Sequence, residues 1–194
     1  MSIGIVACGA LATHIDELAK ELALPITIYP LPPLLHNRPE KIAGEVDALL
    51  TQIKDKHTQC AVAYADCGTY GQLDAVIQRH NVARLGGNHC YDIFAGQSLI
   101  ETMMAENPGT YFLTDFLVKS FHRSVIIELG LDKYPHLRDD YFRNYSRVMW
   151  LAQNPNPELR AAANDAANEI GLSLETQIVG SEGLRRQLEI LISH

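Results

Sequence analysis

No apolar stretch of this sequence approaches the roughly 18–20 residues that a membrane-spanning helix requires, so no such helix is expected. Positive charge is also scarce: 16 Lys and Arg stand against 23 Asp and Glu, a formal net charge of −7. The basic residues are scattered, whereas a phosphate backbone is gripped by a basic stripe, and nucleic acid is therefore not an expected partner. The opening MSIGIVACGAL has no basic leader before its apolar run, which reads as a first strand rather than a secretion signal. A cytoplasmic protein is expected. Internal repeats, low-complexity tracts and long linkers are missing, as are CxxC and HxxxH pairs. GTYGQ (68–72) follows a strand but matches neither the GxGxxG nor the P-loop pattern, so no nucleotide cofactor is invoked. Cysteine is sparse, with four in 194 residues. A chain of this length needs no disulfide staples, and in a reducing compartment its thiols are expected to be buried, catalytic or metal-bound.

What is present is the composition of a globular protein, 47% hydrophobic and 20% charged. That is enough for one sizeable core. Short apolar runs alternate with amphipathic ones over the first ~115 residues. IGIVAC (3–8), PITIYP (25–30), CAVAYA (60–65), a short segment near Ala83–Leu85 and TYFLT (110–114) read as strands. Helices are expected over 12–22, 39–55, 72–80 and from about residue 90 to 106. Such alternation implies right-handed βαβ crossovers and a parallel sheet covered on both faces. The expected fold class is α/β, Rossmann-like and doubly wound, with one mostly parallel sheet of about five to six strands. Residues 115–170, rich in aromatics, read as helical, and LSLETQIV (172–179) as a last strand before a terminal helix. The expected organisation is a single domain over 1–194 with a helical cap or appendix around 115–170.

In an open parallel sheet, ligands bind beyond the carboxyl ends of the strands. Cys8 ends the first strand, His36-Asn37-Arg38 follows the second, Asp66-Cys67-Gly68 the third, and His89-Cys90 the fourth. Four consecutive strand ends thus each carry a Cys or His. Cys8 and Cys67 occupy strand-to-helix turns, where a helix N-terminus favours a thiolate. Thiolates with an imidazole suit zinc or an iron–sulfur cluster. Cys8, Cys67 and Cys90 are the expected metal ligands, with His36 as fourth ligand or general acid/base. Asp66 is expected to orient the site or cap the next helix, and Arg38 to hold a small anionic substrate or form a surface ion pair. Cys60 opens its strand, away from the site edge, and is expected to be core. Of His89 and Cys90, adjacent and pointing apart, Cys90 is the expected participant.

The segments ACGAL (7–11), LHNRP (35–39), YADCGTYG (64–71), GNHCYDIFAG (87–96) and GTYFLTDF (109–116) together resemble the uncharacterised proteins catalogued as domain of unknown function family 1638, over roughly residues 3–180. Ala65 stands where the family more often has glycine, and Asp115-Phe116 near its Pro-Gly pair. The resemblance implies a setting beside corrinoid-dependent methyltransferase components, hence one-carbon metabolism, in which zinc thiolates activate thiols for methyl transfer. The leading expectation is a metal-dependent enzyme acting on a small anionic substrate. The rivals are a non-catalytic metal- or corrinoid-binding accessory protein, and a metal-free enzyme using Cys67 as nucleophile with His36 or His89 as base.

Overall fold

The computed structural model describes residues 2–193. In chain order the elements are β1 (Ile3–Cys8), α1 (Gly9–Glu21), β2 (Ile26–Leu31), α2 (Pro39–Ile53), β3 (Gln59–Ala63), α3 (Gln72–His80), β4 (Ala83–Arg84), α4 (Cys90–Ala95), α5 (Gln97–Glu106), β5 (Thr110–Thr114), α6 (Asp115–Phe121), α7 (Arg138–Phe142), β6 (Arg147–Ala152), α8 (Pro157–Glu169), β7 (Ser173–Ile178) and α9 (Glu182–Ile192). They gather into two compact units. One runs up to Ile93 and takes up the chain again from Glu182, and the other is Phe94–Ser181.

The first unit is built on a four-stranded parallel sheet in the order β2-β1-β3-β4. All six residues of β1 are buried, which explains its uninterrupted apolar sequence, because helices cover a parallel sheet on both faces. Proline at the first turn of α2 is preset for a helix, and Ile42, Val46, Leu50 and Ile53 repeat along its buried face. At Gly4 the backbone of β1 runs under the ring of His57: a Cβ there would lie 2.6 Å from its Cδ2. His57 in turn meets the Tyr29 hydroxyl at 2.8 Å through Nε2.

The second unit holds a three-stranded parallel sheet in the order β5-β6-β7. Trp150 of β6 is wholly buried in a cluster with Leu113, Val118, Phe121, Phe142, Leu159 and Ala163. α8 begins at Pro157 and is capped by Asn156, whose Oδ1 accepts from the Leu159 N–H at 2.8 Å. A polar latch holds the carboxyl ends of β5 and β6 together. The Asp115 carboxylate, 2% exposed, accepts from Trp150 Nε1 (2.9 Å) and from the N–H groups of Gln153 (3.2 Å) and Asn154 (2.7 Å).

The α/β class with parallel sheets is therefore as expected, but two details differ. The strands form two sheets of four and three rather than one sheet of five to six. The expected helical stretch 115–170 contains β6, the central strand of its sheet. RVMWLA (147–152) is a short, continuously apolar run, and when both faces are buried no alternation distinguishes a strand from a helix.

Candidate functional site

The strand order turns back at β1: β2 lies on one side of it and β3 on the other. A reversal of this kind opens a crevice at the carboxyl ends of the two central strands. Cys8 closes β1 there, with α1 starting at the next residue. The turn is tight, since a Cβ on Gly9 would lie 2.5 Å from the Leu31 carbonyl oxygen and 2.8 Å from Pro33 N. Glycine thus lets the loop after β2 pass directly over the Cys8 turn.

Beyond β3 the chain runs through Tyr64 and Ala65 into an unusual loop. Cys67 (φ 50°), Gly68 (81°), Tyr70 (51°) and Gly71 (85°) all adopt positive φ. For a residue other than glycine this costs on the order of 1–3 kcal/mol, and such strain gathers at working sites. Asp66 offsets it. Its carboxylate accepts from the Thr69 hydroxyl (2.7 Å) and from the N–H groups of Gly68 (3.2 Å), Tyr70 (3.3 Å) and Gly71 (3.4 Å). Burial pushes the Asp66 carboxyl up, but the bonds from Thr69, Gly71, Tyr70 and Gly68 outweigh it and hold the group below the usual carboxylate range.

The same loop is stitched to the segment after β4. Asp66 N–H donates to the Gly87 carbonyl (3.1 Å) and Cys67 N–H to that of Asn88 (2.8 Å), prolonging the β3–β4 ladder past its strands. Asp92, buried, accepts from the N–H groups of Asn88 (2.8 Å) and His89 (2.9 Å) and so shapes the turn that presents Cys90 at the start of α4.

These three backbone devices gather Cys8, Cys67 and Cys90 closely enough that Cys8 acts on both of the others and Cys67 on Cys90. Burial pushes Cys67 up to about 12, reinforced by Cys8 and Asp66. Cys90 is likewise raised by burial, then by Cys67 and Cys8. Cys8, 3% exposed, is raised by burial and only partly relieved by the Ala10 N–H, the Tyr64 hydroxyl and the Leu11 N–H. All four cysteines are free thiols. The ionisable groups that act most strongly on Cys67 and Cys90 are thiols and the carboxylates of Asp66 and Asp92, and none of these is a cation.

One member of the cluster is absent from the sequence reading. Tyr64 is wholly buried, and its hydroxyl has no partner at full hydrogen-bond geometry. It interacts most strongly with Cys8 and more weakly with Cys67 and Cys90, and burial raises its pKa far above the ordinary phenol value. A buried hydroxyl left unmet costs about 1–3 kcal/mol. Its only trace in the sequence is a tyrosine among the small residues of CAVAYA, at the strand end that faces the crevice. Tyr70 was also missed. Its side chain is 93% exposed at the tip of the Cys67 loop, which local spacing does not reveal.

The remaining expected residues are placed as follows. His36 is half-buried in a 3-10 turn (Pro33–Asn37), its Nδ1 2.7 Å from the Pro33 carbonyl. A carbonyl can only accept, so Nδ1 donates, and in the neutral ring Nε2 then keeps its lone pair, the arrangement of a ligating or basic histidine. Arg38 is exposed just before α2, with no ion-pair partner among the described residues. His89 is exposed and stacks on Tyr91, ring centroids 4.7 Å apart. Cys60 sits at the other end of β3, raised by burial alone. Among the described residues, no group of three or more His, Cys, Asp or Glu side chains is drawn together tightly enough to form a ready metal cage. The donor set nevertheless suits a soft cation: three thiols, no cation among the groups that act most strongly on Cys67 and Cys90, and a tyrosine hydroxyl beside Cys8.

No helix among the described residues is long and apolar enough to cross a membrane. No curated protein and no solved structure matches the chain. A family model described as "Protein of unknown function (DUF1638)" matches residues 30–188, most of the chain and, of the three thiols, Cys67 and Cys90, and the protein belongs to that family.

Proposed function

We propose that the protein is a metal-dependent enzyme whose centre is held by the thiolates of Cys8, Cys67 and Cys90 and works on a small anionic substrate. The single observation that carries this reading is the gathering of three thiols at the reversal of strand order, with no cation among the groups that act most strongly on Cys67 and Cys90. Three neighbouring thiolates, one buried and two half-buried, repel one another, and a soft cation removes that repulsion. Zinc is favoured slightly over an iron–sulfur cluster. Either supplies a Lewis acid with an open position, because three protein thiolates leave a fourth site for His36 or for substrate.

The chain's own residues would do the rest. Asp66 and Asp92 hold the two ligand loops in place. Arg38 offers a free guanidinium to a carboxylate or phosphate, and His36 Nε2 offers a lone pair as ligand or proton acceptor. Methyl transfer to or from a thiol, the reaction class implied by the family resemblance, is chemistry that such a centre can support. A metal-free cysteine nucleophile suits these residues less well, since Cys67 is pushed up to about 12 and has no cation to favour its thiolate.

The test is elemental analysis with an absorption spectrum on protein purified without oxygen, wild type beside Cys67→Ser. About one zinc or one iron–sulfur cluster per chain, lost or loosened in the variant, is expected. A wild-type protein that holds neither as isolated, nor after incubation with zinc or with iron and sulfide, refutes the reading.

A further inference from the structure

The Tyr64 hydroxyl lies against the Cys8 sulfur without meeting it at full hydrogen-bond geometry, and its position in the sheet tells what a stronger donation there is for. β1 and β3 pair in parallel up to Ala7↔Ala63. One step further along the same register, Cys8 stands beside Tyr64. Neighbours across a parallel ladder sit about 5 Å apart, their side chains on the same face. Three residues on, the loop held by Asp66 returns Cys67 to the same crevice. The tyrosine is 0% exposed, so bulk solvent does not reach its hydroxyl, and no protein group meets it at full hydrogen-bond geometry. Phenylalanine would fill the same volume without an unmet polar atom.

A thiol sulfur is a weak acceptor, and a thiolate ligand of a metal is a strong one. We propose that Tyr64 is a positioning residue of the centre, its hydroxyl donating to the Cys8 sulfur when that sulfur binds metal. The inference rests on the thiolate-centre reading above. It gives the three ligands unequal roles. A hydrogen bond to a ligating sulfur withdraws electron density and fixes its orientation, so Cys8 becomes the least reactive of the three thiolates and the anchor of the centre.

The test compares wild type with Tyr64→Phe in two states. In the metal-free state the variant is expected to melt at the same temperature as wild type or higher, because an unmet hydroxyl has been removed. With zinc, measured by competition against a chromogenic chelator, its affinity is expected to fall about tenfold. With cobalt(II) in place of zinc, the sulfur-to-metal charge-transfer band is expected to shift. Two outcomes overturn the proposal while leaving the centre intact. One is equal zinc affinity with an unmoved cobalt band. The other is a variant that melts lower without metal, which would mean that the hydroxyl already makes a full-strength bond to the neutral Cys8 thiol. If wild type binds neither zinc nor cobalt, the proposal falls together with the centre it rests on.

Discussion

Cys67 offers a direct test of the electrostatics of the crevice, through its reactivity as a function of pH. In the metal-free protein its thiol is pushed from an ordinary value of 9.0 up to about 12, by burial first and then by Cys8 and Asp66. A rise of about three pH units cuts the thiolate population at neutral pH roughly a thousandfold relative to a free cysteine, and alkylation requires the thiolate. Protein stripped of metal and titrated with iodoacetamide, with labelling at each cysteine followed by mass spectrometry, should therefore show Cys67 reacting far more slowly than a peptide thiol at pH 7.5. Its rate should still be climbing at pH 10, where a free thiol has levelled off. The same shift governs stability. Between the unfolded and folded values the native thiol holds its proton while the unfolded one has lost it, so raising the pH favours the unfolded chain. Stability should be flat below about pH 8.5 and decline above pH 9 by up to about 1.4 kcal/mol per pH unit for each raised thiol. Cys67→Ser should flatten part of that decline. Rapid labelling of Cys67 with a midpoint near 9 would refute the whole account, for it would mean that the thiol is neither desolvated nor beside others.

Two further substitutions probe the supports of each unit. Asp66→Ala removes the acceptor for one hydroxyl and three N–H groups in a loop with four positive φ angles. It should cost about 1–3 kcal/mol in urea unfolding and speed hydrogen exchange at Gly68–Gly71, whereas an unchanged midpoint would show that the loop holds itself. Asp115→Ala strands the Trp150 indole and the Gln153 N–H in a buried place and leaves the partly buried Asn154 N–H unpaired, and should cost about 3 kcal/mol or more. Trp150, the only tryptophan in the chain, lies in the second unit, so its fluorescence reports that loss. Retention of the wild-type transition would show that the latch is dispensable.

Much of this protein was legible along the chain because its signals are local. Runs such as IGIVAC and TYFLT are short, apolar and bounded by turn residues, and the structure places strands over the same residues, Ile3–Cys8 and Thr110–Thr114. The positions of Cys8, Cys67 and Cys90 at strand ends followed from that reading, because consecutive parallel strands finish on one edge of a sheet. RVMWLA was misread for the opposite reason. Its strand identity comes from being hydrogen-bonded to β5 on one side and β7 on the other, a fact with no trace in its own periodicity. Nor does any local signal show that β5 starts a second sheet instead of extending the first.

The crevice divides in the same way. The sequence by itself determined which donors are available, three thiols and an imidazole, and that glycines follow Cys8 and Cys67 where the backbone has to turn sharply. Only the tertiary structure decided which of them act on one another. Cys67 and Cys90 are 23 residues apart in sequence, and their loops meet through backbone hydrogen bonds from Asp66 and Cys67 to Gly87 and Asn88. Tyr64 joins the thiols because ladder register sets it beside Cys8, a juxtaposition that nothing in its own stretch of sequence reveals. Burial and register are sums over contacts distant in the chain. They set how strongly each group holds its proton, which a linear pattern of residue types does not carry.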